Sequence, residues 1–233
     1  IEHLKQIDSE ILQIDLCAIS KYTDSQKALK QFYSHLMCLN TEQADQLISD
    51  TLAAAEKQPD SVLMNEIIAL HDHYPGDLGI LSPLLLNLIT LNPGETMFLN
   101  SGQLHAYLKG TCVELMANSD NVIRGGLTRK YIDTDELLKI LDFKSTTPGI
   151  FSPVQGDAEG LSICHSPAQE FELSIINRSL NQKETDIRMQ SIEILFCAEG
   201  TLQLSVREEE TVFQLSRGES CVITADAGLY HIC

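Results

Sequence analysis

A sharp change of texture at Tyr74-Pro75-Gly76-Asp77 constrains this 233-residue chain more than any other feature. Before it, apolar residues recur at three- and four-residue steps: Leu4, Ile7, Ile11 and Leu12, then Ala28, Leu29, Phe32, Tyr33 and Leu36, then Ala44, Leu47, Ile48 and Leu52. That period lines one face of a helix, so residues 1–73 are expected to form a module of three or four amphipathic helices. Thr23 with Gln26, and Asn40 with Gln43, have the spacing of an N-cap and its N3 partner and mark helix starts. A last helix is expected from Asp60 to about His73, burying Leu63, Ile67 and Leu70. The Pro-Gly pair then stops it, because neither residue continues a helix well. Beyond this point come short apolar runs separated by turn residues, which suit a β-sandwich or barrel.

The second part carries a weak internal repeat. Leu91-Asn92-Pro93-Gly94-Glu95 followed by Met97-Phe98-Leu99 matches Leu215-Ser216-Arg217-Gly218-Glu219 followed by Cys221-Val222-Ile223. In each copy a tight Gly-Glu turn leads into a strand, which implies two related β units. A short helix is expected from Thr134 to Leu141, with a linker of Ser, Thr, Pro and Gly near Ser145–Gly149. The expected organisation is therefore α+β: an N-terminal helical module over 1–73, one β-sandwich portion over 74–144 and another over 145–233.

Composition narrows the partners. Sixteen basic against 33 acidic residues give a net charge of −17, which repels nucleic acid and anionic membrane surfaces. The longest apolar stretch, Ile80–Leu91, is broken by Ser82, Pro83 and Asn87, so no membrane-spanning helix is expected. Seven cysteines at irregular spacing, with no Cys-x-x-Cys pair, read as small buried hydrophobes of a reducing, cytoplasmic compartment. The opening IEHLKQIDSE lacks a signal-peptide pattern and an initiating methionine, as in a processed or truncated chain. Charge is uneven, however. From Thr96 to Ile132 the basic residues Lys109, Arg124, Arg129 and Lys130 outnumber the acidic Glu114 and Asp120, a positive island suited to a small anion such as a sugar phosphate.

Gly94, Gly102 and His105 have the spacing of the second metal-binding motif of cupin barrels, which makes His105 a candidate metal ligand. The pattern alone is weak, since an isolated histidine near a strand is more often structural. The wider block is more specific: HYPGDLGI, LSPLLLNLITLNPGETMFLN, HAYLKG and ELMANSDNVIRGGLTRKYID, spanning His71–Asp133, resemble type I mannose-6-phosphate isomerases. The helical residues before it resemble that family's helical insertion in composition and position. Phe151–Cys233 resembles, more loosely, its non-catalytic C-terminal jelly roll.

The resemblance implies two cupin-type jelly-roll portions and interconversion of mannose 6-phosphate and fructose 6-phosphate through a proton shift between C1 and C2. It also implies a Zn2+ ion held by a glutamine, two histidines and a glutamate, acting as a Lewis acid on the substrate oxygens. His105 corresponds to one zinc-binding histidine. Arg124 corresponds to an arginine that stabilises the enediol or binds phosphate, Glu114 to a pocket carboxylate and candidate proton carrier, Tyr107 to a pocket tyrosine, and Lys130 to a substrate-side lysine. A salt bridge between Glu114 and Arg124 is an equal alternative for the carboxylate.

The pattern also departs from the family. Its Q-x-H-P and H-K-P-E segments do not occur, and Leu104 stands where relatives usually carry proline. One ligand is too few for a catalytic zinc, so the 233 residues alone are expected to be inactive. His71 and His73 form an H-x-H pair but sit at a helix end with no glutamate at cupin spacing. Leu229 occupies the position equivalent to His105 in the second β unit, so no second metal site is expected. A non-catalytic sugar-binding or regulatory cupin, or a purely structural domain pair, are the competing readings.

Overall fold

The computed structural model describes residues 2–119, 121–178, 185–189, 191–206 and 212–232. The chain divides into two compact units: Ile1–Pro93 with Met97–Ile150, and Gly94–Thr96 with Phe151–Cys233. The helical module and most of the segment that follows it, expected as separate parts, thus fall in one unit.

That first unit is built on helices α1 (Glu10–Ile19), α2 (Ser25–Met37), α3 (Thr41–Glu56) and α4 (Val62–His73). It also contains two 3-10 turns, Glu2–Gln6 and Leu78–Leu81, the one-turn helix α5 (Ser82–Leu85) and α6 (Thr134–Ile140). The periodic residues meet in one core: Leu12, Phe32, Leu36, Leu47, Met64, Ile67, Ile80, Leu81 and Leu137 are all buried there. Each such side chain contributes about 1.5–3 kcal/mol by leaving water.

Caps set the helix starts. The side chain of Asn40 accepts from the Gln43 amide at 2.9 Å, and the Asn40 amide donates to Gln43 Oε1 at 3.2 Å, the reciprocal pair expected from the spacing. At α2 the cap is Asp24 and not Thr23: its carboxylate accepts from the Gln26 and Lys27 amides, and a charged oxygen at a helix N-terminus is the stronger acceptor. Ser61 caps α4, so this helix begins at Val62, two residues later than Asp60. Tyr74 ends it, as expected from the following Pro-Gly pair.

Among the described residues, the strands expected between residues 74 and 144 are not present beyond β1 (Thr96–Met97). Strands persist only when their amide and carbonyl groups find a neighbouring ladder. Among the described residues no strand offers one to 98–133, which is irregular and leaves Tyr107, Val113, Leu115, Met116, Val122 and Tyr131 exposed. The cysteines also depart from expectation. Cys164 and Cys197 are buried, Cys221 is half-buried, and Cys17, Cys38 and Cys112 are exposed. Cys17 lies on the outer face of α1 and Cys38 is the C-cap of α2, so position outweighs residue type at both. Cys233 is outside the described residues.

The second unit is antiparallel β. Its strands include β2 (Ile150–Phe151, at the boundary), β3 (Val154–Gln155), β4 (Leu161–Cys164), β5 (Leu173–Ile176), β6 (Thr185–Arg188) and β7 (Glu193–Phe196). They continue with β8 (Thr201–Val206), β9 (Val212–Ser216), β10 (Ser220–Ile223) and β11 (Leu229–Ile232). The sheets run β6-β11-β8-β9, β3-β4-β5 and β10-β7. Alternation places Thr185 and Ile187 of β6 on the same buried face as Tyr230 and Ile232 of β11, their register partners. Buried Tyr230 donates to Glu193 Oε2 at 2.7 Å, and burial together with that carboxylate holds its hydroxyl far above the ordinary tyrosine range. The repeat is visible in the backbone. Gly94 (φ 85°) and Gly218 (φ 89°) both adopt the left-handed conformation that glycine tolerates, and a strand opens two residues later, at Thr96 and Ser220.

No helix is long and apolar enough to cross a membrane among the described residues.

Candidate functional site

The sequence-selected residues lie in the irregular part of the first unit, which several side-chain contacts hold in place. A turn positions His105. Gln103 donates its amide to the Asn100 carbonyl at 3.3 Å, and its side-chain oxygen accepts from the Asn100 amide at 2.9 Å. The turn is fixed to the stretch beyond α6 by Asp142 donating to the Gly102 carbonyl at 2.9 Å, and by Gln103 Nε2 donating to Thr146 Oγ1 at 3.3 Å. His105 Nδ1 then lies 2.9 Å from the Gln103 carbonyl. A carbonyl only accepts, so this contact places the proton on Nδ1 and leaves Nε2 with a free lone pair, the tautomer a metal ligand needs.

Tyr107 stands edge-on to His105, with ring centroids 6.1 Å apart at 70°. Partial burial, a hydrogen bond to Glu114 and the nearby Glu114 and Cys112 charges push its hydroxyl up to about 12. Glu114 therefore partners Tyr107, and no ion pair joins it to Arg124 among the described residues. Lys109 reaches Glu66 of α4 at 3.4 Å.

Arg124 is exposed and makes no hydrogen bond or ion pair among the described residues, and the same holds for the side chains of Arg129 and Lys130. The backbone between them is, by contrast, heavily constrained. Ile123 and Leu127 pack on the helical core. Leu104, the residue before His105, sits so close over Gly125 that a Cβ there would fall 2.3 Å from Leu104 Cδ1. The His105 and Arg124 segments are thereby brought together.

Tyr33 of α2 donates to the Gly125 carbonyl at 3.2 Å. Asp77 spans two segments: Oδ1 accepts from the Gly79 amide at 2.7 Å and Oδ2 from the Thr128 amide at 3.1 Å. Gly126 lies against Gly79, where a Cβ would fall 3.2 Å from the Gly79 Cα. Leu127 is the described non-glycine residue with positive φ, 51°, a conformation costing about 1–3 kcal/mol that persists only where surroundings enforce it.

Sequence reasoning missed Tyr33 and Asp77. Tyr33 reads as one apolar position of a helix face, and its hydroxyl partner is 92 residues away. Asp77 follows a Pro-Gly pair, which signals a turn cap but not a second contact 51 residues on. His73 Nδ1 contacts the Ala69 carbonyl of its own helix at 2.8 Å, the same kind of contact as at His105, while among the described residues His71 Nδ1 is buried without a hydrogen-bond partner. Among the described residues no group of three or more His, Cys, Asp or Glu side chains could hold a metal ion. Asp120 of the Ser-Asp-Asn run lies outside the described residues.

The model of the phosphomannose isomerase type I helical insertion domain matches residues 5–86, a stretch that runs past Tyr74 to the end of α5. Mannose-6-phosphate isomerase of Salmonella typhimurium is 40% identical over 201 residues, which are 85% of this chain and 49% of that protein. The human mannose-6-phosphate isomerase is 35% identical over 211 residues, again 85% of this chain and 49% of the relative. The Salmonella typhimurium enzyme in a crystal structure with fructose 6-phosphate and zinc bound superposes with a TM-score of 0.84 at 33% identity, covering 99% of this chain and 57% of that one. The apo form of that enzyme gives the same TM-score. The chain thus spans about half the length of the relatives it matches. Of its own length 85% aligns with the sequence relatives and 99% with the solved structure, so the chain is similar over most of its length to one part of the mannose-6-phosphate isomerases, and over residues 5–86 to the type I helical insertion domain.

Proposed function

We propose that this chain serves the interconversion of mannose 6-phosphate and fructose 6-phosphate, with residues 104–130 supplying the side of the site that binds anionic substrate. One observation carries this reading. Among the described residues the Arg124 and Lys130 side chains have no partner, although the loop between them is fixed at several points and adjoins a histidine whose Nε2 is unengaged there. Unpaired cations on a fixed backbone are preorganised for an anion.

In the aldose-to-ketose direction a base removes the C2 proton, its electrons form the C1–C2 double bond, and O1 gains a proton to give the enediol. Return of a proton to C1, with loss of the O2 proton, leaves the ketone at C2. Arg124 is always protonated and suits either the developing negative charge on O1 and O2 or the phosphate, but not the base. Lys130 adds a second positive charge. Tyr107, with its hydroxyl near 12, stays protonated at neutral pH and acts as a donor. Glu114, which Tyr107 orients, is the candidate proton carrier.

His105 is assigned as one ligand of a zinc ion. Its Nε2 suits a single coordination position, but the described residues do not form a zinc site by themselves. The remaining ligands lie outside them, and no chemical step is assigned to the metal. The exposed apolar side chains of this stretch, Tyr107 at 62% and Tyr131 at 85% accessible among them, form the face that further strands of a cupin barrel would cover. The second unit is assigned as a jelly roll of the same type without chemistry, since Leu229 stands in the place of His105.

Backbone NMR shifts during titration with mannose 6-phosphate test the reading. Changes should concentrate at 104–107 and 123–130, should not occur with unphosphorylated mannose, and should disappear in Arg124→Ala. Equal shifts with mannose, or shifts confined to the second unit, would overturn it.

A further inference from the structure

We propose that Tyr33 and Asp77 are positioning residues for the Arg124–Lys130 loop, so that the helical part of the fold takes part in substrate recognition by fixing this loop. The inference rests on the reading above that the loop binds sugar phosphate. Tyr33 belongs to α2 and is buried on the helical core, where its ring also meets Phe143 at a centroid distance of 6.0 Å. Its hydroxyl fixes the carbonyl immediately after Arg124.

Asp77 is set where α4 has ended and the 3-10 turn begins. One carboxylate oxygen caps that turn through Gly79, and the other takes the Thr128 amide, two residues before Lys130. A single carboxylate thus joins the end of the helical segment to the loop. Gly79 and Gly126 let the two backbones approach closely enough for this bridge to form. The strained Leu127 lies between the two attachment points, at Gly125 and Thr128, with its side chain on the core. Strain kept on a cationic loop, with a dedicated acceptor and donor holding it, is the signature of a conformation needed for binding. The contacts that order the loop are made by its backbone, which leaves the Arg124 and Lys130 side chains without a partner among the described residues.

Asn in place of Asp77 preserves volume but offers one acceptor where two are required. Tyr33→Phe keeps the ring packing and removes the hydroxyl alone. Both variants, together with Leu47→Ala as a control that destabilises the helical core without removing either hydrogen bond, can be made in the full 233-residue chain. Thermal midpoint, amide exchange at Gly79 and Thr128, and affinity for mannose 6-phosphate are then read on each.

Asp77→Asn should accelerate Thr128 exchange about tenfold or more, and each variant should weaken mannose 6-phosphate binding about fivefold, the cost of one lost hydrogen bond. Leu47→Ala should lower the midpoint at least as far and leave affinity unchanged. Loss of affinity in Leu47→Ala equal to that in Asp77→Asn would reduce the two residues to a general structural role and overturn the proposal. So would unchanged affinity in Asp77→Asn and Tyr33→Phe while the parent binds normally. A parent chain that binds no mannose 6-phosphate would instead sink the functional reading, and the loop's assigned role with it.

Discussion

Replacing Tyr33 by Phe should produce a stability difference that changes sign with pH. The hydroxyl is 8% exposed as part of its residue and donates to the Gly125 carbonyl at 3.2 Å. Removing it costs about 1 kcal/mol at neutral pH, the net worth of one hydrogen bond. Burial, with the neighbouring Asp77 charge adding to it, pushes the Tyr33 hydroxyl up from 10.0 to about 12. A folded-state value above the unfolded one means that the native chain holds its proton where the unfolded chain has lost it. The protonated hydroxyl's stabilisation is therefore fully present below pH 10 and is lost as pH rises from there through 12, by about 2 kcal/mol at pH 12. Phe carries no such proton. Urea unfolding followed by circular dichroism at 222 nm should find Tyr33→Phe about 1 kcal/mol less stable than the parent at pH 7–9, and about 1 kcal/mol more stable near pH 12. Tyr107 and the lysines titrate in both proteins and cancel in the difference. A stability gap that stays constant from pH 7 to pH 12 would refute the buried, Asp77-facing environment assigned to this hydroxyl.

Gly126→Ala must place a Cβ at φ 141° and 3.2 Å from the Gly79 Cα, so it should destabilise the first unit by about 1–3 kcal/mol; an unchanged urea midpoint would refute the close approach. Asn40→Ala removes the reciprocal cap of α3 and should cost about 1 kcal/mol, visible as a lower melting midpoint of the helical signal. Limited proteolysis should cut first near Ser145–Gly149, just before the boundary between the compact units at Ile150, and uniform resistance there would argue for one continuous domain.

Much of the helical unit was legible because its determinants are local. The apolar positions Leu12, Phe32, Leu36, Leu47 and Ile67 follow from a 3.6-residue period and are all buried. The Asn40–Gln43 box lies within four residues. Thr23 misled because Asp24 next to it is the better acceptor at a helix N-terminus. The repeated Gly-Glu turns at Gly94 and Gly218 were equally readable, since a positive φ followed by a strand is set by a few neighbouring residues. Strands over 98–133 were not obtained, because alternation states only which face a strand would show and not whether a partner is present to pair with it. At the candidate site, sequence brought His105, Tyr107, Glu114, Arg124 and Lys130 forward. It could not reveal that Tyr107 partners Glu114, that Leu104 lies on Gly125, or that Tyr33 and Asp77 hold the loop, since the last three contacts join residues far apart in the chain.

Zinc content and mannose 6-phosphate turnover, measured together on the dialysed 233-residue chain, test the central claim most directly. With His105 as the sole assigned ligand, zinc should be loosely held, well below one ion per chain after dialysis, and its residual binding should disappear in His105→Ala. No fructose 6-phosphate should form from mannose 6-phosphate by this chain alone. Stoichiometric zinc that survives dialysis, accompanied by isomerisation, would contradict the account by showing that these 233 residues contain a complete metal site.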